Sequence, residues 1–146
     1  MKKLTLAFGV FLAFFASLAL AQNSGNKPAV KYKTPELTVA QIDQWLAKPD
    51  QVLVIDIRRP DELISFGSFP VFLNIQYADL EKYISYIPKD RSIITVSNHA
   101  ARAFAAGDLL SGKGFKVIGA AGSENYEQQG GKAVKKIQKP EPKPAQ

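Results

Sequence analysis

Val52-Leu53-Val54-Ile55 is four apolar residues in a row, three of them β-branched, and Asp56 closes the run. A strand with one solvated face alternates apolar and polar side chains. An unbroken apolar run suits a strand covered on both faces, as in a parallel sheet. Outward from this run the pattern returns. Ile93-Ile94-Thr95-Val96 is predicted as a second buried strand, with Phe72-Leu73-Asn74-Ile75 and Phe115-Lys116-Val117-Ile118 as further strands. Helical signals alternate with them. Thr38 and Gln41 form a capping box, and Val39, Ile42 and Leu46, widened by Trp45, give an amphipathic stripe, so residues 39–47 are predicted helical. Pro60 fits the first turn of a short helix whose positive end suits Asp61 and Glu62. Leu80, Ile84 and Ile87 predict another helix, ended by Pro88. Residues 102–113 read as a helix carrying Phe104, Ala105 and Leu109, stopped by Gly112 or Gly114, and Ser123 starts a final short helix reaching Gln129. Strands separated by helices imply right-handed crossovers and an α/β fold: a mainly parallel central sheet with helices on both faces. Ligands of such sheets sit beyond the carboxyl ends of the strands, where Asp56 and the segment 97–102 fall.

Composition excludes more chemistry than it suggests. A chain of 146 residues accommodates one domain, and the absence of cysteine removes disulfides, thiolate metal sites and thiol nucleophiles. A single histidine cannot build a multi-histidine metal centre. No metal and no cofactor is expected. Residues 1–21 read as a secretory signal: Lys2 and Lys3, an apolar run from Leu4 to Leu20, and a small-residue site at Ala19-Leu20-Ala21 with cleavage before Gln22. The alternative is an uncleaved anchor, for which the run is somewhat short. The expected location is periplasmic or secreted. The net charge of +6 is unevenly placed: residues 22–36, read as a linker, carry +2, residues 37–130 carry −2, and residues 131–146 carry +4. A nucleic-acid binder would put its positive charge on the folded domain, so nucleic acid is not an expected partner. The domain is expected over 37–131, followed by a Lys/Pro-rich disordered tail over 132–146. Prolines at 140, 142 and 144 exclude helix and central strand there. The tail is expected to serve solubility, or a weak contact with an anionic membrane surface or an acidic partner.

Ser97-Asn98-His99-Ala100-Ala101-Arg102 joins the second buried strand to a helix N-terminus. Such a corner directs free backbone N–H groups into a small volume, the helix dipole adds positive potential, and Arg102 adds a full charge. The segment is therefore a candidate anion cradle. Ser97, His99 and Asp56 also supply the residue types of a hydrolytic triad, but a histidine two positions from the serine in a tight loop rarely reaches its hydroxyl. Asp56 and Arg58 either pair to fix the strand end or line the pocket. Tyr77, Tyr83 and Tyr86 mark a stripe that would serve a partner, although only the last two share helical spacing.

The order Asp56-Ile57-Arg58-Arg59-Pro60-Asp61-Glu62, Gly67-Ser68-Phe69-Pro70, Asn74-Ile75, then the strand at 93–96, Gly114-Phe115 and Tyr126, resembles the rhodanese-like (sulfurtransferase) domain over about residues 36–131. The resemblance implies a single rhodanese-like domain with its reactive loop at 97–102. The departures bear on function. Ser97 stands in the place of the family's cysteine, with Arg102 five positions on as in the family. Ser68 stands where the family commonly has histidine, Val71-Phe72 replace a Gly-Ala pair, and the family's later Gly-Gly is reduced to Ala121-Gly122 or Gly122-Ser123. A rhodanese thiolate accepts a sulfane sulfur as a persulfide and passes it on. A serine hydroxyl forms no equivalent exchangeable adduct, and no other cysteine substitutes for it. The expectation is an exported, catalytically degenerate domain without a catalytic residue. It would bind a small oxyanion, such as a sulfur oxyanion, or a periplasmic protein partner through Asp56, Arg58 and Ser97, Asn98, His99, Ala100, Ala101 and Arg102. The rival class is an enzyme: a sulfurtransferase that borrows a partner's cysteine, or a hydrolase built on Ser97.

Overall fold

In the computed structural model, residues 32–138 are described. The expected signal segment and the final eight residues lie outside them. Eight elements follow in order: α1 (Val39–Leu46), β1 (Val52–Asp56), α2 (Pro60–Phe66), β2 (Phe72–Asn74), β3 (Ser92–Ser97), α3 (Ala101–Gly112), β4 (Val117–Gly122) and α4 (Ser123–Gln128). The strands form one four-stranded parallel sheet in the order β2-β1-β3-β4. The α/β architecture with a parallel sheet is as the apolar runs required.

The two central strands are buried along their whole length, and their side chains divide by the two-residue period. Leu53, Ile55 and Ile93 join Leu80, Ile87, Ala106, Leu110 and Phe115 on one face. Val52, Val54, Ile94 and Val96 join Ile42, Phe69, Ala121 and Tyr126 on the other. The first layer is supplied by α3 and the segment after β2, the second by α1 and α4, so helices cover both faces. Full burial of each such aliphatic side chain contributes about 1.5–3 kcal/mol.

Two predicted elements differ. The helix expected around Leu80, Ile84 and Ile87 is instead two short 3₁₀ turns, Tyr77–Asp79 and Ile84–Tyr86. The apolar side chains still pack on the core. Tyr77, Tyr83, Ser85 and Tyr86 are indifferent helix formers and add little to hold a continuous helix there. The last strand is not Phe115–Ile118 but Val117–Gly122, entered through a register shift between Ile93 and Ile94 of β3. Its last four residues are Gly119-Ala120-Ala121-Gly122, small residues that carry little hydrophobic signal. Their smallness is required by what lies against them. A Cβ on Gly119 would sit 2.5 Å from Leu37 Cγ.

Residues flanking 37–131 join the fold on both sides. Leu37 N–H donates to Ala120 O (2.9 Å) and Ala120 N–H to Pro35 O (2.8 Å), which covers the outer edge of β4. The backbone N–H groups of Lys33 and Thr34 donate to the Asp108 carboxylate. Beyond residue 131, Lys135 pairs with Ser68 in an antiparallel bridge, and Ala133 and Val134 pack on the second core layer. No helix among the described residues is long and apolar enough to cross a membrane.

Candidate functional site

The carboxyl end of β1 delivers Asp56, and the chain turns so that Arg58 folds back onto it. Both are completely buried. Arg58 Nε donates to Asp56 Oδ1 (2.9 Å) and one terminal nitrogen to Oδ2 (2.7 Å). That nitrogen also donates to Gly67 O (2.6 Å), while the other donates to Asn98 Oδ1 (2.7 Å) and Ser123 Oγ (3.0 Å). A guanidinium has five N–H donors, and these contacts use all of them. Ser68 Oγ completes the carboxylate by donating to Asp56 Oδ2 (2.6 Å). Of the two roles open to Asp56 and Arg58, the geometry is that of a structural tie. Neither presents a free group to a pocket. One buried ion pair thus joins β1, the end of α2, the loop after β3 and the start of α4. A buried pair persists when its remaining donors and acceptors are satisfied, as they are here.

The loop after β3 lies directly on this network. Ser97 is buried at the end of β3, and its Oγ accepts a hydrogen bond from Ala103 N–H at 3.3 Å. Ala100, also buried, precedes α3 in the left-handed conformation, with φ +62°. Ala101 N–H bonds back to His99 O (2.8 Å), which tightens the turn. Gly122, at the end of β4, lets the neighbouring backbone close on the loop. A Cβ there would lie 2.8 Å from Asn98 O and 2.9 Å from Ala100 N. The N–H groups of His99, Ala100 and Arg102 have no hydrogen-bond partner among the described residues.

Arg102 is not an unpaired cation. It holds the Glu62 carboxylate with two bonds, 2.5 Å to Oε1 and 3.1 Å to Oε2. Glu62 Oε1 also accepts from Asn98 Nδ2 (3.2 Å), and Oε2 from Arg59 N–H (3.1 Å). The Arg102 hydrogen bonds hold the Glu62 carboxyl below the usual carboxylate range, and the same bonds raise Arg102. An anion approaching Arg102 therefore competes with a resident carboxylate. His99 turns outward: its Nδ1 lies 3.2 Å from Asn125 Oδ1 and its Nε2 3.8 Å from Glu124 Oε1. Ser97 and His99 share no hydrogen bond, and Asp56 is spent on Arg58 and Ser68, so the three are not assembled as a triad. Among the described residues no group of three or more His, Asp or Glu side chains is placed to hold a metal ion.

Sequence reasoning singled out the loop but missed Glu62 and Ser68 as members of the site. Glu62 was visible as a favourable charge at a helix start and as the end of the Asp56–Glu62 run that carries the resemblance, but not as the partner of Arg102. Its partner lies 40 residues away, a pairing that no local pattern reveals. Ser68 is small enough to be read as turn material, although it replaces a common family histidine one residue after Gly67.

No protein-family model matches the chain. A sulfurtransferase of Allochromatium vinosum is 32% identical over 80 residues, spanning 55% of this chain and 74% of that protein. Among solved structures, a rhodanese-related protein from Thermoplasma volcanium superposes with a TM-score of 0.61 at 25% identity, covering 68% of this chain and 97% of the other. A rhodanese-like domain protein from Staphylococcus aureus superposes with a TM-score of 0.58 at 16% identity, covering 69% and 96%, a likeness of fold alone.

Proposed function

Since the chain belongs to the rhodanese-like (sulfurtransferase) family yet contains no cysteine, we propose that it is an exported, catalytically degenerate member that works by binding. It does not carry sulfur as a cysteine persulfide. Its ligand is a small oxyanion taken at the 97–102 loop, or a protein partner docked over the same face. The observation that carries this reading is the serine at residue 97, an oxygen at the carboxyl end of β3 where relatives place their reactive sulfur. The rest of the site supports binding. The loop keeps its turn, its unpartnered N–H groups and Arg102. The Asp56–Arg58 network beneath it is fully hydrogen-bonded. Hydrolysis by Ser97 is disfavoured by the orientation of His99, and a buried hydroxyl with no base beside it is a poor nucleophile.

Glu62 occupies the Arg102 fork as a resident carboxylate with two hydrogen bonds, a fork that two oxygens of another oxyanion would also fit. A sulfur oxyanion would take that place and receive the loop N–H groups as well. Thermal denaturation of the exported protein in sulfate, thiosulfate or sulfite, against chloride at matched ionic strength, tests this. Saturable stabilisation by an oxyanion is expected through mass action, lost in Arg102→Ala and largely kept in Ser97→Ala. If none of the oxyanions stabilises more than chloride, the anion reading fails and the partner reading is left.

A further inference from the structure

The sheet has one covered edge and one open edge. Pro35–Leu37 pairs along β4, whereas β2 has no strand beyond it among the described residues. Val54 N–H bonds to Val71 O and Ile75 N–H to Asp56 O, so residues 71 and 75 turn their polar groups toward β1. By the alternation of a parallel ladder, Phe72 and Asn74 turn their backbone N–H and C=O outward. Proteins usually cover or blunt such an edge.

The side chains beside this edge are unusual for a solvated surface. Six large apolar side chains are exposed among the described residues, and five of them, Val71, Leu73, Tyr77, Tyr83 and Tyr86, lie at the entry to β2, in β2 or in the segment following it. Tyr86 is 77% exposed. Between β2 and the two 3₁₀ turns lies an open groove of about 480 Å³, lined by Leu73 to Gln76, Asp79, Tyr83 and Tyr86. A clustered apolar patch beside a free backbone edge is a mark of an interaction surface. Asp79 is the one charged residue lining the groove. It is half-buried, and its carboxylate has neither a salt bridge nor a side-chain hydrogen bond among the described residues. Asn74 cannot serve it, because its amide donates to Asp56 O and Arg58 O. Lys82 rests on the ring of Tyr83, 5.1 Å from its centroid.

We propose that the β2 edge and its tyrosine groove bind an extended polypeptide segment carrying a basic side chain, whose backbone pairs with β2 and whose cation meets Asp79. Backbone pairing would supply affinity, and the groove would choose alternate side chains. Arginine suits the site better than lysine, since its guanidinium also stacks on a tyrosine face, and Tyr86 offers one. The groove is lined by none of residues 97–102, and the inference does not depend on the anion reading.

Selection of a random-heptapeptide phage library against the purified exported protein tests it. Enrichment of peptides with Arg or Lys next to apolar residues is expected. A selected peptide should bind roughly tenfold or more weakly to Asp79→Lys, the loss of one charge-assisted contact. Tyr86→Ser, at a position too exposed to affect folding, should weaken it as well, while Arg102→Ala should not. No enrichment, enrichment of acidic peptides, or binding indifferent to both groove variants would overturn the proposal. So would a homodimer in solution that Tyr86→Ser dissociates, since the groove would then belong to a second copy.

Discussion

Arg58 has no route to water, and every one of its N–H groups is answered by protein. Removing it strands the Asp56 carboxylate in the interior, whereas replacing both partners with apolar groups strands no charge, only the neutral groups of Gly67, Ser68, Asn98 and Ser123 that they served. Arg58→Ala is therefore expected to cost about 3–5 kcal/mol in urea denaturation, and Asp56→Ala combined with Arg58→Met should recover part of that loss. A loss below about 1 kcal/mol for the single variant would mean the pair is not the tie described. Glu62 gives a second test, through pH. Its carboxyl is held below its ordinary range by Arg102. The folded state thus binds that proton less readily than the unfolded chain, and the contribution is present above the usual carboxylate range and lost as pH falls through the depressed value. Asp108, lowered by the backbone N–H of Lys33 and by Thr34, acts with the same sign. Stability should decline on the acid side, and Glu62→Gln should flatten part of that decline. An unchanged acid limb in Glu62→Gln would contradict the Glu62–Arg102 pairing in solution.

At the scale of elements, β2 is entered through a strained residue. Val71 has φ +54°, a region in which a β-branched side chain is uncommon. Val71 is exposed, so little packing is lost by removing its side chain. Val71→Gly is expected to raise stability by about 1 kcal/mol, read as a higher melting temperature. A decrease would show that the side chain holds the entry to β2. Gly122 behaves oppositely: Gly122→Ala should lower the melting temperature, because its methyl would press on the backbone of the 97–102 loop. These elements also show how far the sequence could be read. β1 and β3 were legible because burial on both faces demands long β-branched and aliphatic runs, and α1 because Thr38 and Gln41 announce its start. The true extent of β4 was not, since close approach of Leu37 and of the loop selects glycine and alanine, which resemble turn or helix material. The stretch after β2 misled for another reason. Leu80, Ile84 and Ile87 keep helical spacing and reach the core, while the backbone between them does not complete an α-helix. In the site, residues adjacent in sequence were found, and partners distant in sequence, Glu62 with Arg102 and Ser123 with Arg58, emerged only with the fold.

The whole molecule is a rhodanese-like frame whose sequence contains no cysteine. Its parallel sheet, the loop corner after β3 and the buried Asp56–Arg58 pair beneath it are in place, and residue 97 at that corner carries an oxygen. Two surfaces are proposed for recognition, the loop at the carboxyl ends of the strands and the tyrosine-lined edge of β2. Steady-state incubation of the purified protein with thiosulfate and cyanide, with thiocyanate measured against a no-protein blank, tests the central claim most directly. The expected result is thiocyanate at the level of the blank at every protein concentration. Formation proportional to protein and abolished by Ser97→Ala would contradict the account.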